Sequence, residues 1–208
     1  MKKGLFVTFE GIEGCGKTTH AGLLKEYLEG KGHPCTLTRE PGGTKLGEAV
    51  RGVLLNSRDL RISDMAELFL FEACRCQIVK DVIAPALDEK KIVICDRFSD
   101  ATVAYQGFGG KLSLDMIHAL NKSATDSLEP DVTMLLDIDA IEGLARAKSK
   151  GIDRMESKNI EYHKRVRAGY LELAKRSPKR IKVIKVTGEI DQTQDAIRKE
   201  LDHAIRGL

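Results

Sequence analysis

Long apolar runs are missing from this 208-residue chain: none approaches the ~20 residues that a bilayer-spanning helix needs. No secretory leader is expected, since Met1-Lys2-Lys3 runs directly into a strand-like segment. Cysteines number five, an odd count with no CxxC pair, which is not the pattern of a disulfide framework. Cys35 and Cys95 lie in apolar, strand-like settings where a small buried hydrophobe is the ordinary role. These absences lead to the expectation of a reduced, cytoplasmic protein with no membrane contact. No sign of charge dominates either. The 34 Lys and Arg balance 31 Asp and Glu to a formal +3, too little for a dedicated nucleic-acid or membrane-surface protein. Internal repeats, low-complexity tracts and a dividing linker are all lacking. Residues 1–208 are therefore expected to form one domain, large enough to bury a real core.

What the chain does have is Gly11-Ile12-Glu13-Gly14-Cys15-Gly16-Lys17-Thr18-Thr19, two glycines five apart followed by Lys and Thr, the pattern of a phosphate-binding loop. Its context fits on both sides. Leu5–Phe9 is a short apolar strand, and His20 to Leu28 reads as a helix with Leu23, Leu24, Tyr27 and Leu28 on its buried side. The glycines let the backbone turn tightly and aim its N–H groups at a phosphate, and the helix adds its positive end. Lys17 is a point charge for the β- and γ-phosphates, and the Thr18 hydroxyl is a natural Mg²⁺ ligand. Cys15 has the ordinary reading of a small loop residue; a reactive thiolate at the helix terminus is the alternative. The chain is expected to bind a nucleoside triphosphate.

Strand and helix then alternate, the signature of an α/β fold with a parallel sheet covered by helices on both faces. Five strands are expected near 5–9, 35–38, 91–95, 132–138 and 181–186. Arg39-Glu40-Pro41-Gly42-Gly43-Thr44 closes the second strand with a sharp break, setting Arg39 and Glu40 at a carboxyl edge, where such sheets bind ligands. A helix from about Leu46 to Leu55 carries Arg51, and a longer one from Ser63 to Asp88 has Ser63 as N-cap with Glu67 close behind. Asp96 ends a buried strand as a Walker B-type aspartate should. The basic run Arg146–Arg154 reads as a solvated face or as a lid closing over a triphosphate, whereas Lys175–Arg180 reads as a plain exposed loop.

A phosphate loop alone does not choose among a GTPase switch, an ATPase and a kinase. A switch would specify guanine through an Asn-Lys-x-Asp element, which the sequence lacks. Arg97, beside Asp96, can grip a second phosphate through bidentate geometry. Phe71 and Arg75 share a helix face, where an aromatic plane beside a guanidinium is a credible clamp for a nucleobase, although core packing also explains Phe71. Ala104-Tyr105-Gln106-Gly107 offers an aromatic and an amide to the same pocket.

Here the chain resembles a known family. Thr8-Phe9-Glu10-Gly11 leading into the phosphate loop, Arg39 to Thr44, Asp96-Arg97-Phe98 with Ala104 to Gly107, Asp153-Arg154-Met155-Glu156 and Val166 to Tyr170 together look like thymidylate kinase. The resemblance covers essentially the whole chain in the right order. It implies transfer of a phosphoryl group from ATP to dTMP, with Mg²⁺, in a homodimer, and for dTTP synthesis. Gly11, Glu13, Gly14, Cys15, Gly16, Lys17, Thr18 and Thr19 would surround the ATP phosphates, and Thr18, Asp96 and Glu156 would serve the metal. Arg97 and Arg51 would hold the dTMP phosphate, with Arg39 and Glu40 shaping that end. Phe71 would stack on thymine, Arg75 would donate to its carbonyl, and Thr102 and Gln106 would lie along the base edge. Tyr105 would crowd the sugar's 2′ position, and Glu13 would meet its 3′-hydroxyl.

The family's bacterial-type members supply a cation to the transferring phosphoryl from a lid, here about 142–156. Arg146, Lys150 and Arg154 are the candidates, although Lys148 and Lys150 stand where arginines are expected. Ala66, Leu68, Phe69, Leu70 and Ile78 suit a dimer interface and core packing equally. A kinase of another monophosphate is the nearest alternative. A nucleotide-binding switch and a nucleic-acid binder using Arg176 to Arg180 stand further off.

Overall fold

The computed structural model describes residues 4–56, 60–148 and 154–206. Strands β1 (Leu5–Glu10), β2 (Cys35–Arg39), β3 (Ile92–Asp96), β4 (Val132–Asp137) and β5 (Ile181–Lys185) pair in the order β2-β3-β1-β4-β5. Every pairing is parallel, and the strands lie within a residue or so of their expected positions. Six buried residues make up β1, as a central strand covered on both faces must. Alternation sorts the side chains of β1 and β3. Leu5, Val7, Phe9, Ile92 and Ile94 join the larger core with Leu24 and Leu28. Phe6, Val93 and Cys95 turn the other way, toward Ile78, Val79 and Ile83.

The helices are α1 (Lys17–Gly30), α2 (Lys45–Arg51), α3 (Asp64–Ile78), α4 (Ala84–Asp88), α5 (Ser99–Thr102), α6 (Leu114–Ala124), α7 (Ala140–Lys148), α8 (Ile160–Arg176) and α9 (Ile190–Arg206). Side-chain caps set several starts: Thr44, Ser63 and Asn159 each accept a backbone N–H of the first turn. The long helix expected from Ser63 to Asp88 is α3 and α4 joined through a π-helical stretch, Val79–Ile83. Pro85 follows that stretch. A prolyl ring removes one backbone donor and crowds the carbonyl four residues back, and a widened turn accommodates both.

The loop before β5 differs from its sequence reading. Lys175, Arg176 and Lys179 are exposed, but Arg180 is half-buried. Its guanidinium forks onto Asp100 at 2.6 and 2.9 Å and also donates to Thr133 Oγ1 at 3.0 Å. Thr133 Oγ1 in turn lies 2.8 Å from Thr8 Oγ1, so the fork ties α5 to β4 and β1. Bidentate charged hydrogen bonds are the strong kind. Arg180→Ala leaves a nearly buried carboxylate without its cation and is expected to cost about 2–3 kcal/mol, whereas exposed Arg176→Ala costs under about 0.5. Thermal melts check this; equal, small shifts for both variants would contradict it.

Candidate active site

Because β1 pairs with β3 in the register Phe9↔Asp96, the segments leaving both strands emerge side by side. The first is the phosphate loop. Gly14 has φ 71°, and a Cβ there would lie 2.0 Å from the carbonyl oxygen of Gly143, so α7 docks directly on the loop. That Cβ would also lie 3.1 Å from Cβ of Arg146. Lys17 folds back over the loop, donating to Ile12 O at 2.9 Å and Gly11 O at 3.1 Å. Thr18 Oγ1 donates to Asp96 Oδ2 at 2.5 Å, which brings together two of the three residues expected on the metal side.

The second segment carries Arg97, held at φ 72°. Its backbone N–H donates to Phe9 O at 2.9 Å. The guanidinium reaches Gly11 O at 3.1 Å, Tyr105 Oη at 3.0 Å and Glu13 Oε1 at 3.3 Å. Tyr105 also donates to Glu13 Oε1 at 2.5 Å. His163, fully buried, sets Nδ1 3.2 Å from Glu13 Oε2. Burial alone would raise the Glu13 carboxyl, but His163, Arg97, Lys17 and Tyr105 outweigh it and hold the group at about 2, below its ordinary 4.5. A depressed carboxyl pKa stabilises the fold above 4.5, and that contribution is lost as pH falls toward 2. The stability difference between wild type and Glu13→Gln is therefore expected to shrink from pH 4.5 to 2, measured by chemical denaturation; a difference that grows there would contradict it.

Beneath this layer lies Glu10, completely buried, a residue to which the sequence reading gave no role. It accepts Phe98 N–H at 2.7 Å and the Tyr170 hydroxyl at 2.7 Å. Burial and the Asp100 carboxylate push it up to about 8. Glu10 thus fixes the turn that presents Arg97. His163, Tyr170 and Glu67 also escaped the sequence reading as site residues.

A cavity of about 280 Å³ runs from the phosphate loop to α3. Glu13, Gly14, Lys17, Thr18, Asp96 and Arg97 line one end. Phe71, Thr102, Tyr105 and Gln106 line the other, with Arg39, Glu40, Arg51 and Glu156 along the side. Arg51 donates to Pro41 O at 2.8 Å, across a cis Glu40–Pro41 bond, and Arg39 pairs with Glu48. Leu55 and Met155 add apolar wall.

Other expected residues stand elsewhere. Arg75 does not line the cavity but lies buried behind its wall, donating to Glu40 at 2.7 Å, Glu72 at 2.8 Å, Asn121 at 2.7 Å and Thr102 at 3.1 Å. Burial raises the Glu40 carboxyl, and Arg75 opposes the shift. Arg154 donates to Leu54 O at 2.7 Å and to Glu67 at 2.5 Å, so its charge is spent on the protein. Arg146 pairs with Glu142 at the surface, one turn from the loop-facing Gly143. Lys150 lies outside the described residues. Gly11 and Gly16 of the loop and Thr19, exposed in α1, are not among the residues that line the cavity. Cys15 is buried, with Lys17 Nζ 3.5 Å from its sulfur; it is the small packed residue of the ordinary reading.

Comparison with known proteins finds one family. The sequence matches the family model described as thymidylate kinase over residues 9–197. It is 43% identical to the thymidylate kinase of Citrifermentans bemidjiense over 212 residues, covering 99% of this chain and 94% of that one. Identity to the Desulfovibrio desulfuricans thymidylate kinase is 44% over 216 residues, with 98% and 100% covered. The crystal structure of thymidylate kinase from Ehrlichia chaffeensis superposes with a TM-score of 0.79 at 38% identity, covering 96% of this chain and 99% of that one.

Proposed function

Since the chain belongs to the thymidylate kinase family, we propose an account, residue by residue, of how its cavity phosphorylates dTMP to dTDP. The observation that carries it is the continuity of one cavity from the phosphate loop to Phe71 and Gln106, long enough in chemistry for a phosphate at one end and a base at the other. ATP lies with its phosphates on Gly11–Thr19. Lys17 leaves the loop carbonyls to meet the β- and γ-phosphates. Arg97 and Arg51 hold the dTMP phosphate, Phe71 stacks on thymine, and Gln106 and Thr102 face its edge. Arg75 acts from behind the wall, fixing Glu40 and Thr102. Tyr105 and Glu13, hydrogen-bonded to each other, lie along the deoxyribose.

The acceptor is a phosphate oxygen that is already ionised, so the site needs no general base. Positioning and charge neutralisation carry the reaction. Mg²⁺ fits the donors present. Thr18 Oγ1 and Asp96 Oδ2 are hard oxygens in mutual contact, and a phosphate-borne Mg²⁺ asks for only one or two protein oxygens. Thr18 and Asp96 would hold Mg²⁺, which would neutralise phosphate charge there, with Glu156, on the cavity wall, as a further oxygen ligand or partner on its side. Arg146, rooted beside Gly14, is our choice for the cation at the transferring phosphoryl, in a lid of about residues 142–156.

The protein acts as a single domain in the cytoplasm, and among the described residues no helix is long and apolar enough to cross a membrane. The homodimer is proposed through α3. Leu68 and Ile78 are core residues, but Ala66, Phe69 and Ala73 form an exposed stripe on one face, with Phe69 52% exposed. Coupled ADP release across dTMP, dUMP, dCMP, dAMP and dGMP tests the substrate assignment. Strong preference for dTMP is expected, with dUMP nearest because one methyl is worth only about 1–3 kcal/mol; comparable rates on all five would overturn it.

A further inference from the structure

Glu67 is buried in the first turn of α3, 2% exposed, and both of its oxygens are taken. Oε1 accepts Gln106 Nε2 at 2.8 Å, and Oε2 accepts Arg154 Nη2 at 2.5 Å. A carboxylate paired with a guanidinium accepts hydrogen bonds and cannot donate them. Gln106 therefore has no choice of orientation: its amide nitrogen must turn to Glu67, and its carbonyl oxygen becomes the atom it offers to the cavity it lines. An amide free to flip would read either a donor or an acceptor on a base. One locked in this way reads a donor.

We propose that Glu67, held by Arg154, is a specificity-determining positioning residue: it fixes the Gln106 amide so that the cavity accepts a base presenting a ring N–H and rejects one presenting a ring lone pair. Thymine and uracil carry that N–H, and cytosine carries a lone pair in its place. The inference rests on the base lying against Gln106, as argued above. It also ties base recognition to the segment after residue 153, since the Arg154 guanidinium that orients Glu67 donates to the Leu54 carbonyl and the Arg154 backbone N–H donates to the Leu55 carbonyl.

Glu67→Gln tests it by inverting the relay. Arg154 needs an acceptor and claims the new amide oxygen, leaving the new NH₂ to face Gln106. Gln106 then offers its oxygen to position 67 and its nitrogen to the cavity. The expected result is a fall of about tenfold or more in the ratio of kcat/KM for dTMP to that for dCMP, the scale of one hydrogen bond gained by one base and lost by the other, with kcat/KM for dCMP itself rising. Glu67→Asp, still an acceptor only, keeps the wild-type ratio even where its activity drops. A parallel fall for both substrates in Glu67→Gln, with the ratio unchanged, overturns the proposal. Gln106→Leu separates the two levels of the argument. If that variant loses discrimination while Glu67→Gln keeps it, the base seat stands and the relay falls. If Gln106→Leu keeps full discrimination too, the base does not lie there and both readings fall.

Discussion

Replacing Lys17 by Met is expected to lower kcat by about 10²–10³-fold, the usual loss when one charge-stabilising donor leaves a reacting centre, while the thermal midpoint moves by only a few degrees. Lys17 is buried, and its ammonium rests on two carbonyls of its own loop. Those bonds fix it where an arriving phosphate, a stronger acceptor, can take it over. Charge grows on the transferring group in the transition state, so a cation there matters more to kcat than to binding. Met keeps the length and apolar stem. It removes two modest hydrogen bonds but also a buried charge, which is why the fold survives. Steady-state rates at saturating dTMP, alongside a melt, separate the effects. A kcat loss below tenfold in a folded variant would contradict the role.

Arg97→Ala is expected to raise KM for dTMP by about 100-fold or more, since hydrogen bonds to charged groups are worth about 1.5–3 kcal/mol each, while KM for ATP changes little. The variant also loses stability, on the order of 3 kcal/mol. Arg97 is the nearest cation to Glu13 and contacts Tyr105 as well; without it, a nearly buried carboxylate keeps the cost of desolvation and loses a main offset. Arg97→Lys restores charge but not the fork and should recover only part of the affinity. Equal rises in both KM values would mean that Arg97 supports the loop rather than the acceptor phosphate.

The strands and the phosphate loop were legible in the sequence because their signals are local: apolar runs, glycine spacing, and Asp96 at a strand end. The residues that escaped it have partners far along the chain. Glu67 looks like an ordinary first-turn helix acid until Arg154, 87 residues later, and Gln106 close over it. Arg180 looks like loop charge until Asp100 is found 80 residues earlier. Phe71 and Arg75 do share a helix stretch, but spacing cannot say that Glu40 and Glu72 draw the guanidinium behind the wall while the ring stays on it. His163 sits in no motif, and only the packing of α8 brings it to Glu13. Burial also settled Cys15, which helix-end electrostatics alone left ambiguous.

The central claim is that one cavity seats dTMP with its phosphate at Arg97 and its base at Phe71. The most direct measurement is a crystal structure of the protein with dTMP bound. The account predicts phosphate oxygens within hydrogen-bond distance of the Arg97 and Arg51 guanidinium groups, thymine stacked on the Phe71 ring, and its N3–H directed at Gln106 Oε1. A nucleotide lying the other way round, or a base seated outside the wall formed by Phe71 and Gln106, would contradict it.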